Sequence, residues 1–143
     1  MRRVVLDASV AAKWYLPIAG EPYVDHAFRL FNAHVTRDIK IEVPDLFWAE
    51  MGNILWKAMR ANKLTRDEAK EALDKLIDCK FPTAPSTILL EIAFVIATTF
   101  GRSVYDCLYI ALAESSGAEF VTADEKLVNF LGARYPLKWL GTF

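Results

Sequence analysis

The strongest constraint on the fold of this chain lies in three residues, Val4-Val5-Leu6, an apolar, β-branched run with no polar alternation that stops at Asp7. A strand with one wet face alternates apolar and polar residues, whereas a strand buried on both faces reads as a continuous apolar run. Burial on both faces is the condition of a parallel sheet. Parallel strands need long crossovers, and Asp7 followed by Ala8-Ser9-Val10 is a polar entry into a helix running to about Tyr15. The same grammar returns late in the chain, where Glu119-Phe120-Val121 leads to Thr122 and Asp124 and then to a short helix from about Glu125 to Leu131.

Between these two units the pattern is mostly helical. Pro17, Gly20 and Pro22 break the chain, and Val24, Ala27, Phe28 and Phe31 then recur at helical spacing. Ile39 to Val43 alternates and reads as a second strand, after which Pro44-Asp45 opens a helix to about Ala61. Thr65 and Glu68 form a capping box for a helix whose apolar face is Ala69, Ala72, Leu73, Leu76 and Ile77, so the two helices make a hairpin. Pro82 and Pro85 bound a short extended segment. Thr87 to Phe100 is almost wholly apolar, which predicts a buried helix ended by Gly101, and Ser103 opens another reaching Ser116. Trp139-Leu140 is expected to add an edge strand. The fold expected is α/β, a three-layer α/β/α sandwich with a central parallel sheet of four to five strands, formed as a single domain over residues 1–143.

Composition narrows the function. Hydrophobic residues make up 54% and aromatics 13%, enough for one core with apolar surface left over, which points to a homodimer. A net charge of −1 excludes nucleic-acid attraction over the whole surface and leaves only local basic patches. Cys79 and Cys107 are too few for a disulfide framework and lack metal-ligand spacing, so both read as small core residues. Asp7 and Lys13 interrupt the stretch after Arg2 and Arg3 before any signal-peptide core forms, and the run Ile88 to Phe100 is too short to span a bilayer and contains Glu91. A cytoplasmic protein is expected.

In an open parallel sheet, ligands bind outside the carboxyl ends of the strands, which makes Asp7 and Asp124 the first candidates. Each has a second reading as a helix N-cap, and Asp106, three residues after Ser103, reads equally as a capping-box acid. Glu50 lies at the edge of the apolar arc Phe47, Met51, Ile54, Leu55 and Ala58, where a merely solvating Glu is uncommon. Asn53 and Lys57 continue that helix edge, either as a functional row or as a salt-bridged surface row. Four acids without paired histidine or cysteine favour magnesium, manganese or calcium over zinc. His26 and His34 are eight residues apart on one predicted helix and too loosely phased to be read as ligands. Ser9 lacks a paired base and is read as supporting a carboxylate.

The order of these pieces is that of a known family. A strand ending in Asp7-Ala8-Ser9 is followed by Glu50-x-x-Asn53 on a helix and Leu64-Thr65. Then come Tyr105-Asp106-x-x-Tyr109-x-x-Leu112-Ala113 and Val121-Thr122-Ala123-Asp124-x-x-Leu127. This resembles the PIN-domain family and, within it, the VapC-type toxins of toxin–antitoxin pairs, over nearly the whole chain. The resemblance implies a metal-dependent endoribonuclease in which Asp7, Glu50, Asp106 and Asp124 are catalytic and hold Mg2+ or Mn2+, with the last acid the most variable. It also implies that Ser9, Thr122 and Asn53 support those acids, and that a small VapB-like antitoxin covers the crevice.

Grouped carboxylates repel a phosphodiester, and a divalent cation reverses that sign. Candidate contacts to an RNA substrate are Lys13, Lys57 and Arg102, each of which could also be a solvated surface charge. The acids should repel one another when no cation is bound, raising at least one carboxyl pKa. Three rival readings remain: a PIN nuclease outside a toxin–antitoxin pair, a catalytically silent binding module, and a phosphoryl-transfer enzyme using Asp7 as acceptor. The last would want a second acid where Ser9 stands.

Overall fold

Val4, Val5 and Leu6 are wholly buried, as their uninterrupted apolar run requires. In the computed structural model, which describes residues 1–16 and 20–143, they belong to β1 (Arg2–Leu6), the middle strand of five. On one side of it lie β2 (Ile39–Pro44) and then β3 (Thr83–Ala84), and on the other β4 (Glu119–Thr122) and then β5 (Leu137–Trp139). Every neighbouring pair is parallel. The predicted chain break at Pro17 lies outside the described residues.

Seven helices occur among the described residues: α1 (Ala8–Tyr15), α2 (Val24–Val35), α3 (Leu46–Arg60), α4 (Arg66–Asp78), α5 (Ser86–Phe100), α6 (Val104–Ser116) and α7 (Glu125–Leu131). Right-handed crossovers assign α1 to α4 to one face of the sheet and α5 to α7 to the other. Helix packing follows the same grouping, with α1 against α2 and α3, α3 against α4, and α5 against α6. The result is the three-layer α/β/α arrangement.

The chain runs outward from β1 through β2 to β3 and then returns to β4 on the opposite side of β1. The carboxyl ends of β1 and β4 therefore flank the point where strand order reverses, the place where open α/β sheets form a crevice. The two ends are level. Leu6 is in register with Val121, and the Asp7 amide donates to the Val121 carbonyl at 3.1 Å.

Local signals hold where backbone chemistry alone decides them. The Thr65–Glu68 capping box is complete, with both reciprocal hydrogen bonds formed. Gly101 ends α5 with φ of 70°, a left-handed conformation that costs glycine little, and the next helix departs at 120°. That bend interrupts the apolar stretch, and among the described residues no single helix is long and apolar enough to cross a membrane.

Four expectations need correction. The apolar helix α5 is not buried: only Leu89, Ala93 and Ile96 are covered, while Ile88 is 71%, Phe94 59% and Val95 58% exposed. Burial falls instead on α6, whose residues Cys107 to Ala113 are all buried because it lies between the sheet and α5. On α4, Leu73 and Ile77 face outward and Ala72 and Leu76 inward, because the helix meets α3 along a narrower seam than its apolar pattern implied. The last strand is Leu137–Trp139, with Leu140 passing into a short, buried 3₁₀ turn. Cys107 is buried as expected, but Cys79 is only half-buried, beside the Tyr15 hydroxyl.

The segment bounded by Pro82 and Pro85 forms the edge strand β3, and Asp45 ties it to α5 by accepting hydrogen bonds from both the Ser86 amide and the Ser86 hydroxyl. This side-chain cap substitutes for Pro85, which has no side-chain acceptor at the N-cap position. The Ser86 bonds hold the Asp45 carboxyl below its ordinary value. Asp45→Ala should cost about 1 kcal/mol in urea unfolding at pH 7. The deficit should shrink as pH falls through the folded carboxyl value, since a depressed pKa stabilises only above it. A deficit that stays constant down to pH 2 would show that the carboxylate is not the cap.

Candidate active site

Asp7 is the first residue past β1, and its carboxylate joins the two central strand ends. Ser9 Oγ donates to Asp7 Oδ2 at 2.9 Å, and Thr122 Oγ1 donates to the same oxygen at 2.7 Å. Each hydroxyl is itself tied to the β4 turn: Ser9 Oγ accepts from the Ala123 amide at 3.3 Å and Thr122 Oγ1 from the Asp124 amide at 3.1 Å. Asp7 stands at the N-cap position of α1, where its carboxylate accepts the Ser9 hydroxyl without forming a side-chain cap bond. Its acceptor capacity is directed into the crevice.

Glu50, in the second turn of α3, is half-buried and receives the Tyr109 hydroxyl on Oε1 at 2.6 Å. Tyr109 is buried and stacked on Phe120, with ring centroids 5.1 Å apart and planes 17° apart, so this donor has little freedom to move. Tyr109 follows Asp106 by three residues, which puts both on one face of α6. Sequence reading placed Tyr109 in a motif without assigning it a role; its i+3 relation to Asp106 was the available signal.

Burial pushes the carboxyl groups of Asp7 and Glu50 above their ordinary values, opposed by their hydroxyl donors and reinforced by neighbouring acids. Asp106 acts on both, and Asp7 acts on Glu50, so the three share one field. The expected rise is present, but desolvation outweighs mutual repulsion as its cause. Burial and the adjacent acids also push the Tyr109 hydroxyl far up, which keeps it a donor at any physiological pH.

Asp106 and Asp124 are linked by a cation. The Asp106 amide donates to Ser103 Oγ at 3.2 Å, but its carboxylate does not complete a capping box: Oδ2 accepts from Arg102 Nη2 at 3.1 Å. Asp124 does cap α7, accepting from the Leu127 amide on Oδ1 at 3.1 Å, while its Oδ2 lies 3.6 Å from the same Arg102 nitrogen. Cap and crevice acid are compatible readings here.

The remaining candidates separate. Lys13 is buried, bound to Glu21 at 2.6 Å and donating to the Pro22 carbonyl at 2.8 Å, so it ties α1 to these two residues and is not presented to a substrate. Glu21, which sequence reading left aside, is its counter-ion. Asn53 and Lys57 are exposed, and among the described residues neither forms an ion pair, so the salt-bridged row is not formed and Glu50 pairs with Tyr109 instead. Arg102 is engaged with Asp106 and Asp124. His26 and His34 lie on α2 with aromatic neighbours Tyr23 and Phe81.

The donor chemistry fits a hard divalent cation: side chains occupy only Oδ2 of Asp7, Oε1 of Glu50 and Oδ2 of Asp106, so the second oxygen of each has no side-chain partner among the described residues. Among the described residues no three acids, histidines or cysteines stand close enough together to hold a metal ion without moving. The crevice is an open cluster of coupled carboxylates.

The chain belongs to the PIN-domain family, whose profile matches residues 4–130. It is 32% identical over 129 residues to Ribonuclease VapC3 of Pyrobaculum aerophilum, covering 89% of this chain and 93% of that protein. Among solved structures, PAE2754 from Pyrobaculum aerophilum superposes with a TM-score of 0.66 at 25% identity, over 99% of this chain and 92% of the other. VapBC2 from Rickettsia felis, solved bound to a DNA fragment from its promoter, matches with a TM-score of 0.62 at 13% identity over 96% and 98% of the two chains.

A raised carboxyl pKa contributes stability that is present below the unfolded value, near about 4, and lost as pH rises through the folded value. Asp7→Asn removes this dependence at one position. In metal-free protein, the melting temperature of Asp7→Asn relative to wild type should therefore climb between pH 4 and pH 7. Parallel melting curves over that range would refute burial of the charged carboxylate.

Proposed function

We propose that this chain is a divalent-metal-dependent endoribonuclease and the toxin of a toxin–antitoxin pair, with Asp7, Glu50, Asp106 and Asp124 as its working acids. The observation that carries the reading is the Asp7 carboxylate, gripped by Ser9 and Thr122 at the strand-order reversal, in electrostatic contact with Glu50 and Asp106. Acids are seldom kept partly desolvated and close together without a cation to share. The family and the name of the Pyrobaculum relative support ribonuclease chemistry. The likeness to VapBC2 of Rickettsia felis supports a small VapB-like antitoxin as partner.

Asp7, Glu50 and Asp106 would hold Mg2+ or Mn2+, with Asp124 at the rim. When bound, the cation makes the crevice attractive to phosphate and lowers the pKa of a water. The protein's own share is positional. Ser9 and Thr122 fix one oxygen of Asp7 and Tyr109 fixes one oxygen of Glu50, so the second oxygen of each acid would be the one offered to the cation. The Tyr109 proton stays on the phenol, so Tyr109 orients Glu50 and takes no part in proton transfer. Cleavage by in-line water attack leaves a 5′ phosphate and a 3′ hydroxyl. Lys57, exposed about two turns beyond Glu50, would meet the RNA backbone without reading sequence.

Purified protein given a structured RNA should cleave it with manganese and stop with chelator. Asp7→Asn and Asp106→Asn should each lose at least roughly 100-fold in kcat/KM, and Thr122→Val roughly 10- to 100-fold, the usual range for a group that orients a ligand. Unimpaired cleavage by Asp106→Asn would remove it from the site.

Homodimerisation is part of the same proposal. The uncovered side of α5 carries Ile88, Leu90, Phe94 and Val95, more contiguous apolar surface than a monomer usually shows to water. Phe94→Glu should convert a dimer to a monomer in light scattering at micromolar concentration. A wild-type monomer, or a variant that stays dimeric, would rule out this face.

A further inference from the structure

Arg102 sits in the elbow between α5 and α6, just after the left-handed Gly101 and just before the Ser103 cap. Its side chain is only 28% exposed, whereas the ion-paired Lys70 and Lys75 of α4 are 74% and 66% exposed. One terminal nitrogen, Nη2, faces both Asp106 Oδ2 at 3.1 Å and Asp124 Oδ2 at 3.6 Å, so a single positive group spans two acids from different elements. Its Nε is buried without a partner. This is not the two-pronged carboxylate grip that makes arginine pairs strong. It is a one-nitrogen bridge with part of the fork idle.

We propose that Arg102 is an internal counter-cation of the acidic crevice, holding Asp106 and Asp124 in the metal-free protein and displaced from between them when a divalent cation binds. The inference rests on the reading that these acids hold the ion.

Three physical points carry it. First, the two carboxylates come from different parts of the chain, α6 and the turn into α7, and no other cation among the described residues is paired with either. Arg102 therefore does in the free protein what a shared ion does in the loaded one. Second, Oδ2 of each acid faces the guanidinium, and a doubly charged ion sharing Asp106 would stand within a few ångströms of that guanidinium, where like charges repel strongly in a partly desolvated site. The two cations cannot keep the same acids. Third, a bridge using one nitrogen, with Nε left unsatisfied, gives up less on breaking than a bidentate pair would. Once released, Arg102 remains at the mouth of the crevice with a fork suited to a phosphate oxygen pair.

The competition can be measured without RNA. Manganese alone is titrated calorimetrically into chelator-treated wild type, Arg102→Ala and Arg102→Lys at pH 7, with circular dichroism and chelator melts confirming that each folds. If Arg102 competes, Arg102→Ala binds manganese at least about fivefold more tightly, the low end of ordinary coupling between two ligands. It also melts lower than wild type in chelator and gains more from manganese. Arg102→Lys, which keeps the charge, falls between the two. Tighter binding by Arg102→Ala against undetectable wild-type binding would also support the proposal, as an extreme of the competition. Equal or weaker binding by Arg102→Ala, with wild type binding normally, overturns it while leaving the metal-site reading intact. Failure of all three proteins to bind manganese overturns the metal-site reading and this inference with it.

Discussion

The Asp7 carboxylate is the interaction on which the site depends. It lies where the chain leaves the parallel neighbours β1 and β4 toward opposite edges of the sheet, and two hydroxyls from the two strand ends converge on its Oδ2. Because Ser9 and Thr122 are in turn bound to backbone amides of the β4 turn, the acid is held by a closed set of bonds and not by one rotamer. Desolvation of a charge is expensive, and these donors offset part of that cost without adding a positive group. A carboxylate held in this way keeps an unmet demand for a cation.

The rest of the crevice is assembled around that demand from both faces of the sheet. Glu50 comes from α3 and Asp106 from α6, and the buried Tyr109 links them by donating from the α6 face to the α3 acid. Tyr109 is rigid because Phe120 of β4 stacks beneath it. A core aromatic pair thus sets the position of a crevice carboxylate, so packing and chemistry are coupled through one hydroxyl. The α5–α6 elbow performs the matching task on the outer side, where a sharp turn at Gly101 delivers Arg102 and Asp106 to the same rim.

Burial within the α5–α6 pair shows how topology distributes an apolar sequence. Both segments are rich in aliphatic residues, yet α6 lies against three strands and is covered on the outside by α5, while α5 packs mainly on α6, with Phe100 at its end meeting Phe130 and Tyr135. The outer helix keeps its apolar residues in solvent, and burial of α6 fixes the phase that points Asp106 and Tyr109 into the crevice. Composition alone makes no distinction between the two.

What the sequence determined by itself is whatever one or two backbone turns can decide: strands from continuous apolar runs, caps at Thr65 and Ser103, the left-handed stop at Gly101, and the placing of Asp7 and Asp124 at strand ends. These follow from local sterics, donors and burial period, which nearby residues carry in full. The grouping of the four acids was legible only as an order of motifs similar to that of a family. What the tertiary structure alone decided is which partner each charge finds: Tyr109 for Glu50, Arg102 for Asp106 and Asp124, Glu21 for Lys13, and which apolar helix stays uncovered. Glu50 and Tyr109 are 59 residues apart, and Asp7 and Thr122 are 115 apart. An ion pair or hydrogen bond acts over a few ångströms of space and has no fixed distance along a chain, so it is set only when the strands have taken their order.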